Sequence, residues 1–121
     1  MTVAYITLDE VHEDRARRLS RAKGVGLEVF WPTETISRRD FPIVVYDLDF
    51  LPAERRDLVL RRALSRRTTD AVAMHGYNLT RHQRKALRQN GVLVSRRLGS
   101  KLLSRVVERA TCGAGCLAEV A

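Results

Sequence analysis

Long apolar runs, cysteines and lysines are all scarce in this 121-residue chain, and each scarcity removes a class of protein. No apolar stretch approaches the ~18 residues of a membrane-spanning helix. Met1-Thr2-Val3-Ala4-Tyr5 lacks the basic flank of a secretory signal, so a soluble cytoplasmic protein with no membrane partner is expected. The two cysteines, Cys112 and Cys116, are too few for a disulfide framework, and no other soft ligand stands near them to complete a metal site. They read as free thiols in a short flexible tail, 111–121, behind a single domain, 1–110. No nucleophile–base pair and no glycine-rich phosphate loop is visible, which argues against an enzyme with conventional turnover.

What is present is arginine, unevenly placed. Nine basic residues and one acid fall between Arg81 and Arg109, so this segment carries the whole net charge of +8. Arg81, Arg84, Lys85 and Arg88 share helical spacing. Arg96 and Arg97 follow, and Lys101 and Arg105 recur four residues apart. Such a surface expects an anionic partner, either an acidic protein face or nucleic acid. The stripe lacks the interleaved aromatics of a base-stacking platform. A solvated arginine-rich face is the plain alternative.

The other organising feature is Ile43-Val44-Val45-Tyr46-Asp47, an apolar run without alternation that ends in a carboxylate. That is the pattern of a strand buried on both faces, with Asp47 at its carboxyl end. Similar strands are expected at Val3–Leu8, Leu27–Trp31, Asp70–His75 and Val92–Val94. Helices are expected over Val11–Lys23, from Pro52 to about Arg67, from Thr80 to Gly91, and after Ser100, which is expected to cap the last of them. Ala16, Leu19 and Ala22 form the expected inner stripe of the first, with Gly24 as its stop. Thr80-Arg81-His82-Gln83 has the spacing of a capping box. Thr33–Phe41 is polar and irregular, with room for a turn or two of helix around Thr35–Arg39.

Strand–helix alternation of this kind predicts an α/β fold, a doubly wound five-stranded parallel sheet of order 2-1-3-4-5 with a shortened second helix. In that order the first and third strands are neighbours, so Asp9 and Glu10 would meet Asp47 at the switch point. Crowded carboxylates call for a hard cation such as Mg²⁺. Alternatively, Asp9 and Asp47 simply cap the helices that follow them.

These residues resemble the receiver domain of two-component response regulators, a flavodoxin-like fold, over about residues 3 to 110. Ile6-Thr7-Leu8-Asp9-Glu10 is similar to the family's Mg²⁺-binding acidic pair, and Val44-Val45-Tyr46-Asp47 to the strand that carries the phospho-accepting aspartate. The resemblance implies phosphoryl transfer to Asp47 from a histidine kinase, with Mg²⁺ held by Asp9, Glu10 and Asp47. It also implies that the basic helix–strand–helix surface is the face for output and dimerisation. Departures from the pattern are specific. Ser95-Arg96-Arg97-Leu98 stands in the family's Lys-Pro-Leu region, and the three lysines, Lys23, Lys85 and Lys101, lie elsewhere. Arg96 offers charge there, but as a planar fork rather than a compact ammonium. His75 occupies the position of the switch serine or threonine and is placed to donate to a bound anion. Pro52 is shifted by one residue from the family's proline. A degenerate receiver working through protein contacts is therefore expected, and His12 and His82, on helices without ligand-spaced partners, receive no role.

Overall fold

The computed structural model describes residues 1–32, 41–65 and 71–120, with the side chains of 112–120 excepted. The short helix expected around Thr35–Arg39, and with it the shortened second helix, lies outside the described residues. The elements in chain order are β1 (Thr2–Ile6), α1 (Glu10–Ala22), β2 (Gly26–Phe30), β3 (Val44–Asp47), α2 (Ala53–Ser65), β4 (Val72–His75), α3 (Arg81–Gln89), β5 (Leu93–Ser95) and α4 (Ser100–Val120), with a 3₁₀ turn at Leu48–Phe50. All strand pairs are parallel, and the sheet order is β2-β1-β3-β4-β5, as the sequence predicts.

The apolar runs are continuous because both faces of the sheet are covered. Ala4, Ile6, Val44, Val72 and Met74 face one way, against Val59, Leu60, Ala63 and Leu64 of α2 and Leu87 of α3. Val3, Tyr5, Val45 and Ala73 face the other, against Ala16 of α1 and Leu102 and Val106 of α4. Period-two alternation then fixes what happens at the carboxyl ends. Asp47 pairs with His75 in register, directly above the Tyr5–Val45–Ala73 row. Asp47, His75 and Tyr5 therefore project from the α1/α4 face.

Helix ends follow the expected chemistry. Thr80 Oγ1 accepts the Gln83 N–H at 3.0 Å while the Gln83 side chain accepts the Thr80 N–H at 2.9 Å, a complete capping box. Gly24 and Gly91 stop α1 and α3 with φ of 69° and 87°, a region that penalises any Cβ. Three details differ from expectation. The buried face of α1 is Ala16 and Ser20 with Leu19 beside them, and Ala22 is exposed because the helix turns that position to solvent. Ser100 is the first helical residue rather than the cap, since Leu103 N–H bonds to the Gly99 carbonyl. The helical backbone of α4 continues to Val120, past residue 110. No helix among the described residues is long and apolar enough to cross a membrane.

Because both halves of the α3 capping box are made, Thr80→Ala is expected to lower stability by about 1 kcal/mol. Urea denaturation should show this as a reduced midpoint with an unchanged slope.

Candidate functional site

The site is built from the ends of three neighbouring strands and the first turn of one helix. Asp47 is completely buried. Its Oδ2 accepts the Thr7 hydroxyl at 2.8 Å and lies 2.6 Å from His12 Nδ1. A carboxylate can only accept, so Nδ1 must carry the hydrogen in that bond. The short separation is typical of a charge-assisted contact.

His12 arrives by way of Asp9. Asp9 Oδ2 accepts the His12 backbone N–H at 3.0 Å and so caps α1, while the Asp9 N–H donates to Thr7 Oγ1 at 3.0 Å. The cap starts the helix at Glu10 and sets His12 on the same face as Ala16 and Ser20, pointing to the sheet. Its ring packs edge-on against Phe50, centroids 4.8 Å apart. Leu8 and Phe50, joined by the Leu8 N–H to the Phe50 carbonyl at 3.2 Å, are exposed, as is Val11, the residue before His12.

On the other side stands His75, 1% exposed. Its Nε2 is 2.8 Å from the Tyr5 hydroxyl, and its Nδ1 is 3.8 Å from Asp47 Oδ1. Both Nδ1 of His75 and Oδ1 of Asp47 are buried without a hydrogen-bond partner. Burial lowers the His75 pKa from 6.5 to about 4, outweighing the nearby Asp47 carboxylate, so the ring is neutral at physiological pH. Burial, reinforced by Asp47, pushes the Tyr5 phenol well above its ordinary value and keeps it protonated.

The site residues expected from sequence divide. Asp47 and His75 come together. Asp9 stands at the rim, its Oδ2 4.0 Å from His12 Nε2, with one carboxylate oxygen engaged as a cap. The capping alternative thus describes Asp9. It does not describe Asp47, which makes no cap bond to the 3₁₀ turn. Glu10 is the exposed first residue of α1. Among the described residues, the side chains within ligand distance of one another are His12, Asp47 and His75, all within 4.8 Å, and not Asp9 or Glu10 with Asp47. Two imidazoles and one carboxylate do not suit Mg²⁺, which favours oxygen ligands in an octahedron.

His12 was not legible as a site residue, because its partners lie on other elements. The available signal was its place three residues after a strand-ending acid, and four before the buried Ala16. Asp49, two residues beyond Asp47, has a separate task. Its carboxylate accepts the Tyr77 N–H at 3.1 Å and ties the loop after β3 to the loop after β4.

Arg96 is exposed, and no ion pair joins it to Asp47 among the described residues. It lines a shallow open groove of about 530 Å³ with Tyr77, Arg84, Arg88, Ser95 and Arg97. Arg84 is half-buried, and its guanidinium donates to the Leu79 carbonyl at 2.6 Å. Arg81, Lys85, Lys101 and Arg105 are exposed but do not line the groove.

The fold is that of response regulator receiver domains. It matches a receiver domain of two-component signal transduction (histidine kinase) from Clostridium thermocellum, at 14% identity and TM-score 0.55, over 90% of this chain and 95% of that one. A CheY-like response regulator receiver domain from Methanospirillum hungatei JF-1 gives 13% and 0.59, over 91% and 93%. The ChxR receiver domain from Chlamydia trachomatis gives 12% and 0.52, over 91% and 97%. No family model matches the sequence, and no curated protein matches it significantly.

The depressed His75 pKa has a thermodynamic consequence. Below about pH 6.5 the unfolded chain takes up a proton on this ring, whereas the folded chain does so only near pH 4. The contribution is therefore fully present above pH 6.5 and lost as pH falls through 4, by up to about 3 kcal/mol. Urea midpoints of chelator-treated protein should fall across that window. A flat profile there would show His75 to be accessible to protons in the folded state.

Proposed function

We propose that this chain is a receiver-fold signalling domain that works through protein contacts and does not use Asp47 as a phospho-acceptor. The observation that carries the reading is the state of the Asp47 carboxylate. It is fully buried, with Oδ2 engaged by Thr7 and His12 and Oδ1 turned toward His75. Phosphoryl transfer needs an accessible oxygen in line with the donor, and cations to neutralise the transferred group. Here the position of the family's lysine is held by Arg96, whose side chain lines the groove beyond Tyr77. Lys23 is engaged far away with Ser104 Oγ, at 2.7 Å.

The cationic groove is the contact surface in this reading. Arg88, Arg96 and Arg97 are exposed around it, and a cytoplasmic signalling protein with an acidic face, a histidine kinase or a downstream effector, is the partner that fits. Nucleic acid is the alternative occupant, and a second copy of the chain is another.

Incubation with Mg²⁺ and acetyl phosphate is expected to leave the intact mass unchanged. Stoichiometric gain of a phosphoryl group, lost in Asp47→Ala, would overturn the proposal. For the surface, Arg88→Glu with Arg96→Glu and Arg97→Glu should leave the fold intact, since these side chains lie outside the core. Wild-type protein should bind random duplex DNA weakly at physiological salt, where screening acts over about 8 Å. Tight, sequence-indifferent DNA binding with a steep salt slope, abolished by the triple reversal, would assign the groove to nucleic acid instead.

A further inference from the structure

The strongest unexplained feature of the molecule is a pair of buried polar atoms that face each other. Asp47 Oδ1 and His75 Nδ1 are 3.8 Å apart and both lack a hydrogen-bond partner. Native proteins leave few such groups unsatisfied, and each calls for a cause. His12 completes the surroundings, its ring centroid 5.8 Å from that of His75 and its Nδ1 on the other Asp47 oxygen.

We propose that His12, Asp47 and His75 bind a first-row transition-metal ion of the Zn²⁺ type, at the corner where the resemblance to receivers would place Mg²⁺. The ligand chemistry decides the class of ion. Neutral imidazole suits zinc, copper, nickel and iron, whereas magnesium and calcium take oxygen. Two histidines and one carboxylate form a three-ligand set that leaves a coordination position for water.

The distances are compatible with one ion. Two donors each about 2.1 Å from a metal can be at most about 4.2 Å apart. The Asp47–His75 gap of 3.8 Å is already inside that limit. The widest separation in the trio is within 4.8 Å, so a contraction of some tenths of an ångström brings all three into reach. His12 is the ligand with freedom to make it, being partly exposed and on the rim.

The surroundings supply orientation. A ligating histidine ordinarily donates its other ring N–H to an acceptor, which fixes the tautomer. Tyr5 Oη stands 2.8 Å from His75 Nε2 and is placed to accept its N–H in the metal-bound form, with Nδ1 then free to bind the ion beside Asp47 Oδ1. At His12 the neutral ring binds through one nitrogen and keeps its single hydrogen on the other, so a hydrogen now on Nδ1 moves to Nε2 if Nδ1 takes the metal.

This inference is independent of the cationic groove and of the phosphorylation result, which are read by different measurements. The test uses the full chain with Cys112→Ser and Cys116→Ser, because thiolates in α4 would otherwise compete for the same ions. After treatment with chelator and its removal, Zn²⁺ is titrated by calorimetry, and Co²⁺ by its visible d–d absorption. One equivalent should bind, with cobalt bands of a low-coordinate nitrogen–oxygen site. The melting temperature should rise by about 5–10 °C at a hundredfold excess over Kd. Mg²⁺ at millimolar concentration should leave the melting temperature unchanged.

His12→Gln, at the exposed edge, should retain the circular dichroism spectrum and weaken Zn²⁺ by tenfold or more. Asp47→Asn should do the same if it folds. Tyr5→Phe should weaken binding less while keeping the cobalt bands, the mark of a positioning residue. Zn²⁺ affinity unchanged in His12→Gln, or no one-to-one binding of Zn²⁺ or Co²⁺ at all, would overturn the proposal. An equal response to Mg²⁺ would overturn the choice of ion class.

Discussion

The structure depends on keeping one carboxylate out of water. Asp47 is fully buried, and no lysine or arginine forms an ion pair with it among the described residues. Removing a charge from solvent is expensive unless neighbouring dipoles and donors replace the lost hydration. Thr7, carried one residue beyond β1, and His12, in the first turn of α1, are those replacements. Their positions are linked, since Asp9 joins the two by bonding to Thr7 Oγ1 and to the His12 N–H. The β1–α1 connection therefore serves capping and solvation of Asp47 together, and neither can move without the other.

This arrangement separates two kinds of electrostatics at one end of the sheet. Around Asp47 the groups are buried or half-buried and held by short hydrogen bonds. Around the groove they are guanidinium groups in contact with water, where interactions are weaker and screened by salt. The likeness to solved receiver domains extends over about nine-tenths of this chain at 12–14% identity. Such a match fixes the sheet and leaves the polar residues at its end to be judged by their own contacts. Those contacts include two imidazoles beside the strand-three aspartate.

Much of the fold was legible because burial on both faces leaves an unmistakable trace. Val3–Ile6, Ile43–Tyr46 and Val72–Met74 are apolar at every position, and each ends in a polar residue near the same edge of the sheet. Cap chemistry was legible for the same local reason: Thr80, Gln83, Gly24 and Gly91 act within a few residues of themselves. The site was only half legible. Asp47 and His75 end strands, and strand ends can be aligned by counting. His12 is brought in by the pitch and docking of α1, which depend on Ala16 and Ser20 meeting the sheet, and no spacing within the helix announces that. The position of Ala22 shows the same limit. It follows Leu19 by three residues, yet lies about 120° around the helix from the buried Ala16 and so faces solvent.

The tie between Asp49 and the Tyr77 N–H gives this end of the molecule a mechanical character. Asp49 follows Asp47 by two residues, and Tyr77 follows His75 by two while its side chain borders the arginine groove. Gly76, between them, donates to the Ser95 carbonyl at 3.1 Å and sits so close to Leu48 that an added Cβ would be 3.1 Å from that side chain. The segment His75–Gly76–Tyr77 is thus tied on two sides, to Ser95 through the Gly76 N–H and to Asp49 through the Tyr77 N–H. One three-residue segment therefore carries both the imidazole beside Asp47 at its inner end and, at its outer end, a side chain of the arginine groove.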